Sequence, residues 1–185
     1  MKEMFKLGGT LAAFALVACV ALALVDSVTG PVIREAAEKK ANAALQTVFP
    51  NATAFEAKEG FQAGDHGSIQ FERVVLAKNG DEALGVAMQL TGPTYDKATM
   101  IVATDTEGTV VGTSFLALTD TPGFGQKATE PGYMDQFNGK TKDDKFAVGE
   151  DVQAISGATI TSKGLAEMIK AACIVASDFL KAGGQ

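Results

Sequence analysis

The chain has no tryptophan, a single histidine at position 66, and only two cysteines, Cys19 and Cys173. Each scarcity removes a class of protein. One cysteine sits in an apolar run and the other in a helix-forming segment, so the two are no disulfide framework and the fold must rest on its core. His66 lies in a Gly-Asp-His-Gly loop and reads as a solvated turn residue. No Cys, His and carboxylate cluster has ligand spacing, which argues against a metal site. Basic residues are short as well, 16 Lys and Arg against 22 Asp and Glu, for a net charge of −6. With no basic stripe and no aromatic-basic interleaving, nucleic acid is excluded as a partner. No catalytic triad or acid–base pair is visible, so no residue is assigned a catalytic role.

What is present describes a folded chain. Hydrophobic residues make up 46% and charged residues 21% of 185, enough for one ordinary domain and an appendage. The appendage is N-terminal. Leu7 to Val25 is a run of nineteen residues without a charge, and at ~1.5 Å per residue such a helix just spans a hydrocarbon core of roughly 30 Å. It is longer than the apolar region of a secretory signal, and no cleavage site stands out between its end and a turn expected at Asp26 to Gly30. A competing reading is a lipoprotein signal at Leu16-Val17-Ala18-Cys19, with Cys19 lipidated. The chain stays apolar from Val20 to Val25, where such a protein turns polar. Lys2 and Lys6 against Glu3 favour a cytoplasmic N-terminus. The expected layout is a stub and membrane anchor over residues 1–30, followed by an extracytoplasmic domain over 31–185.

Pro31 is expected to open a second helix. Ile33, Ala36, Ala37, Ala41, Ala44, Leu45 and Val48 recur at three- and four-residue steps, and Pro50 with Asn51 ends the segment. A polar, glycine-rich stretch from Glu59 to Gly67 separates it from strands. Phe71 to Ala77 and Ala83 to Leu90 flank an Asn79-Gly80 hairpin signal. Met100 to Thr104 and Thr109 to Leu118 form a second pair, and a helix is expected from Lys163 to Lys181. Strand–helix alternation and a GxGxxG junction are missing, which excludes a doubly wound nucleotide fold. The fold class is α+β: one N-terminal transmembrane helix, then a mostly antiparallel sheet domain with flanking helices.

Two glycine-bearing turns stand out. Asp120-Thr121-Pro122-Gly123-Phe124-Gly125 follows the last strand, and Ser156-Gly157-Ala158-Thr159-Ile160-Thr161-Ser162 precedes the C-terminal helix. The second admits two readings. It can be an ordinary helix cap with Thr161 or Ser162 at the start. The less common reading is a phosphate site, because the first helical N–H groups have no internal partner and the helix dipole favours an anion there. The first turn can be a plain strand ending with Phe124 in the core, or a loop under a flat ring. Together they suggest a bipartite cofactor site.

Ser156-Gly157-Ala158-Thr159 followed by Ile160-Thr161-Ser162 resembles the flavinylation motif of the FMN-binding domain family. The Thr121-Pro122-Gly123-Phe124-Gly125 turn resembles that family's flavin-ring loop, and the single N-terminal span fits as well. The resemblance covers essentially the whole chain. It is closest to the G subunits of Rnf electron-transport complexes; the C subunit of the sodium-pumping NADH:quinone reductase shares the motif but is longer. The resemblance implies FMN bound covalently as a phosphoester to Thr159. Ser156, Gly157, Ala158 and Thr161 would line the phosphate, and Thr121, Gly123 and Phe124 would lie against the isoalloxazine. It further implies an electron carrier in the membrane of a bacterial or archaeal cell, working in an ion-translocating ferredoxin:NAD oxidoreductase. Its partners would be other Rnf membrane subunits, a flavin transferase for maturation, and the lipid bilayer. One departure stands in the motif. An acidic residue is usual three positions before it, where this chain has Gln153, with Asp151 the nearest carboxylate. An alternative of another class is an exported lipoprotein or small-molecule binding module without a redox role.

Overall fold

A computed structural model describes residues 2–58 and 63–182, so the first four positions of the expected 59–67 stretch lie outside the described residues. The chain divides into two compact units, Met1–Lys40 and Ala41–Gln185.

The first unit is helical throughout its described residues. Helix α1 runs from Lys2 to Val48, 47 residues without interruption. Leu11, Phe14, Leu22 and Val28 are all at least 70% exposed, so the apolar surface faces outward all round, as it does in a membrane span. Among the described residues, α1 is the one helix long and apolar enough to cross a membrane. The expected turn at Asp26 to Gly30 is absent, and Pro31 lies inside the helix instead of opening a new one. The polar residues there do not compete with the helix. Ser27 Oγ donates to the Leu24 carbonyl at 2.8 Å and Thr29 Oγ1 to the Val25 carbonyl at 2.9 Å, local bonds that a helix accommodates. Pro31 removes the N–H that would have met the Ser27 carbonyl.

The second unit begins with the last turns of α1. Of the expected apolar face, Ala41, Ala44, Leu45 and Val48 are buried, whereas Ile33 remains 65% exposed. Five antiparallel strands follow in sequence order: β1 Ala54–Ala57, β2 Gln70–Asn79, β3 Glu82–Pro93, β4 Lys97–Asp105 and β5 Val110–Leu118. Asn79 pairs with Glu82, and Gly80, at φ 61°, opens the two-residue β2–β3 turn in the left-handed conformation that glycine supplies. The β4–β5 turn is organised by Asp105, whose Oδ1 accepts the N–H groups of Glu107 and Thr109, both at 2.9 Å. Two short 3-10 helices, Gly125–Thr129 and Met134–Phe137, precede α2, which spans Thr159–Lys181. The α+β architecture is the expected one. His66 is half-buried rather than solvated; its Nε2 lies 2.7 Å from the Ala63 carbonyl and its ring packs edge-on to Phe71.

Alternation along the central strands feeds two cores. Leu76, Met88, Leu90, Met100 and Val102 face Leu165, Met168, Ile169 and Ala172 of α2. Val75, Ala77, Ala87, Ile101 and Ala103 face Leu45, Val48 and Phe49 on the other side. The strands β2 to β4 are therefore covered on both faces, and α2 lies in the layer that leads to the two glycine turns.

Candidate functional site

The start of α2 is built from its buried hydroxyls. Ala158 is the residue before the helix, and no side chain caps it. Thr161 and Ser162 are both fully buried, one turn inside the helix. Neither is the cap expected from sequence, because each hydroxyl is used to tie the helix to neighbouring chain. Ser162 Oγ accepts the Ile155 N–H at 2.9 Å and donates to the Ala158 carbonyl at 3.2 Å, fastening the turn that holds the Ser156-Gly157 pair. Gly157 takes φ 77°, and a Cβ there would lie 3.0 Å from the Phe124 ring. Ser156 and Thr159 are exposed.

Thr161 Oγ1 donates to Asp120 Oδ2 at 2.5 Å. In the sequence Asp120 is only the first position of a turn. In the fold it is fully buried, and it gathers four donors. Thr94 Oγ1 donates to Oδ1 at 2.5 Å and the Asp96 N–H to the same oxygen at 2.9 Å. The Tyr95 N–H reaches Oδ2 at 3.4 Å. Burial is the largest influence on its carboxyl and raises the pKa. The bonds from Thr161, Thr94, Asp96 and Tyr95 together outweigh it and hold the group below the usual carboxylate range. Nothing in the local sequence distinguishes such an aspartate from a turn-forming one; only the meeting of three distant segments does.

The segments meet closely. A Cβ on Gly125 would lie 2.5 Å from Asp120 Oδ2 and 2.6 Å from Thr161 Oγ1, so glycine alone fits there. A Cβ on Gly164 would lie 2.3 Å from the Pro93 carbonyl, which lets α2 run against the tip of the β3–β4 hairpin.

These contacts frame a cavity of about 460 Å³, within the range of small-molecule sites. Thr121, Phe124 and Gly125 line it from the loop, Gly157 to Thr161 from the start of α2, and Tyr95 from the hairpin tip. The structure thus brings together six of the eight site residues expected from sequence: Thr121, Phe124, Gly157, Ala158, Thr159 and Thr161. Ser156 and Gly123 are outside the lining. Tyr95, Gly125 and Ile160 are inside it, beyond what the sequence leads one to expect. Phe124 is not tucked into the core: Tyr95, Phe124 and Ile160 are 67, 54 and 59% exposed and form an apolar rim. Among the described residues, no charged side chain lines the cavity. Among the described residues, no group of three or more His, Cys, Asp and Glu side chains is placed to hold a metal ion.

Residues 95–173 match the FMN-binding domain, and residues 1–48 match the RnfG N-terminal region. The chain is 32% identical over 182 residues to the G subunit of the Na(+)-translocating ferredoxin:NAD(+) oxidoreductase complex of Acetobacterium woodii, covering 89% of this chain and 87% of that protein. It is 30% identical over 191 residues to the G subunit of the ion-translocating oxidoreductase complex of Salmonella typhimurium, covering 95 and 92%. The crystal structure of Shewanella oneidensis NqrC aligns at a TM-score of 0.49 and 22% identity, over 60% of this chain and 61% of that one.

Proposed function

Because this chain belongs to the family of G subunits of ion-translocating oxidoreductase complexes, we propose that it is a membrane-anchored electron carrier with FMN held as a phosphoester on Thr159. One observation carries the choice of residue. Of the four hydroxyls between positions 156 and 162, those of Thr161 and Ser162 are buried and committed to Asp120 and to the preceding turn. Ser156 is exposed but lies outside the cavity. Thr159 alone is both exposed and part of its wall.

The residues fit the group. A phosphate at Thr159 sits at the start of a 23-residue helix, where unpartnered N–H groups and the dipole favour an anion. The Tyr95, Phe124 and Ile160 rim suits a flat aromatic ring. Thr161 contributes to the phosphate end through its backbone N–H, since its hydroxyl is given to Asp120. Bound here, FMN supplies the electron-transfer chemistry, and the chain supplies binding, orientation and field. A covalent tether keeps the flavin on a domain outside the cell membrane, where a released one would be lost.

In this reading α1 is the anchor, Lys2 and Lys6 stay on the cytoplasmic side, and residues 31–185 form the extracytoplasmic FMN domain. The partners are the other subunits of the complex and a flavin transferase. Gln153 occupies the position where that enzyme's target motif usually has an acid, and Asp151 is not free to replace it. Its carboxylate accepts Lys140 Nζ at 2.8 Å, the Ala147 N–H at 2.7 Å and the Phe146 N–H at 3.1 Å. Expression of the full chain with a flavin transferase, followed by peptide mass spectrometry and in-gel fluorescence, tests the proposal. FMN is expected on the Thr159 peptide of the wild type, with none on Thr159→Ala and full loading on Ser156→Ala. Flavin retained by Thr159→Ala, or diacylglycerol on Cys19 with no flavin, overturns it.

A further inference from the structure

We propose that Asp120 is the positioning residue of the flavin site: its carboxylate ties the three cavity-lining segments together and keeps an unpaired negative charge directly behind the cavity wall. The inference rests on the FMN reading above and adds to it a residue outside both the cavity lining and the motif.

The geometry is that of a clamp. The hairpin tip reaches Asp120 through Thr94 Oγ1 and the N–H groups of Tyr95 and Asp96. The helix start reaches it through Thr161 Oγ1. The loop carries Asp120 itself, and Gly125 folds back so close to it that a Cβ there would lie 2.5 Å from Oδ2, which only a glycine avoids. Tyr95, Gly125 and Thr161, one from each segment, all line the cavity. Their spacing is therefore set by one carboxyl group.

Stability alone is a poor reason for such a residue. A buried charge carries a desolvation penalty that well-packed apolar residues avoid, and replacing buried ionic groups by apolar ones often leaves stability unchanged or improved. Among the described residues no Lys, Arg or His forms an ion pair with Asp120. Its four partners are neutral donors, which stabilise the charge without cancelling it. In a site of low effective dielectric that charge acts over several ångströms. A group that takes up electrons in the cavity gains negative charge there, and the Asp120 field opposes the gain.

Two readouts on the full-length chain in detergent, loaded by a flavin transferase, separate this role from a structural one. The first is covalent flavin per chain, and the second is the midpoint potential of the bound flavin by redox titration. Asp120→Asn keeps the shape and removes the charge; a positive shift of the potential is expected, with a return toward the wild-type value in Asp120→Glu. Thr161→Val removes one arm of the clamp and leaves the charge; less flavin on Thr159 is expected, with Thr161→Ser loading normally. Wild-type potential in Asp120→Asn overturns the electrostatic role, and wild-type loading in Thr161→Val overturns the clamp. Both Thr161 measurements stand even where Asp120 variants fail to fold. A wild-type chain with no flavin on Thr159 overturns the FMN reading itself, whatever the variants do.

Discussion

The Phe124 ring lies against the one position in the helix-start turn that has no side chain, with its Cδ1 3.0 Å from where a Gly157 Cβ would be. The loop after β5 and the turn that opens α2, 33 positions apart between these two residues, are thus packed against each other. Gly157→Ala meets two obstacles: the left-handed φ of 77°, costing about 1–2 kcal/mol, and the Phe124 ring. The thermal midpoint of Gly157→Ala should fall, and Phe124→Ala in the same chain should restore part of it by removing the contact while leaving the backbone strain. Thermal unfolding of the single and double variants reads the difference.

Gly123 and Gly125 sit in one turn but respond to different forces. A Cβ on Gly123 meets nothing within 4 Å, so Gly123→Ala carries only the strain of φ 77°, about 1–2 kcal/mol. Gly125→Ala drives a methyl between Asp120 and Thr161 and breaks a buried, charge-assisted hydrogen bond, which costs about 3 kcal/mol. Thermal unfolding of the two variants should rank Gly125→Ala well below Gly123→Ala.

Asp151 gives an acid-dependent stability. Its bond with Lys140 is the largest influence, partly offset by burial and supported by the Ala147 and Phe146 N–H groups, and the carboxyl is lowered to about 2 from an ordinary 3.8. The folded pKa lies below the unfolded one, so the contribution is complete above about pH 4 and is lost as pH falls through about 2. Asp151→Asn should be less stable than wild type at neutral pH, and the gap should close between pH 4 and pH 2. Denaturant midpoints across that range check it; a gap independent of pH would remove Asp151 from the account.

Cys173 is fully buried, and burial, with a smaller push from the Asp144 charge, raises its thiol to about 12. Only the thiolate reacts with maleimides or disulfides. In a Cys19→Ser background the folded chain should resist a soluble maleimide at pH 8 and label fully in denaturant, which makes Cys173 a native probe of unfolding.

Much of the fold is legible in the residues. Alternation and the Asn79-Gly80 pair place β2 and β3, and the run ending at Leu118 places β5, because strand periodicity and turn chemistry are local. The continuous α1 is not legible. Asp26, Gly30 and Pro31 carry turn signals that the local Ser27 and Thr29 hydroxyl bonds do not reinforce. Strand β1 and the two 3-10 helices are short and held by tertiary contacts, which no local pattern reports. At the site, the glycines and hydroxyls announce the two turns. Tyr95 and Asp120 stay hidden because their roles exist only once the β3–β4 tip, the loop after β5 and the first turn of α2 converge.

The five-stranded sheet also works as a partition. Leu45 and the end of α1 pack on one face, and Leu165 with the rest of α2 packs on the other. Residues on opposite faces share no side-chain contact, so their substitutions should add rather than couple. The layer built on the end of α1 can therefore be repacked without disturbing the layer that carries the start of α2, so the two faces of one small domain can be altered independently.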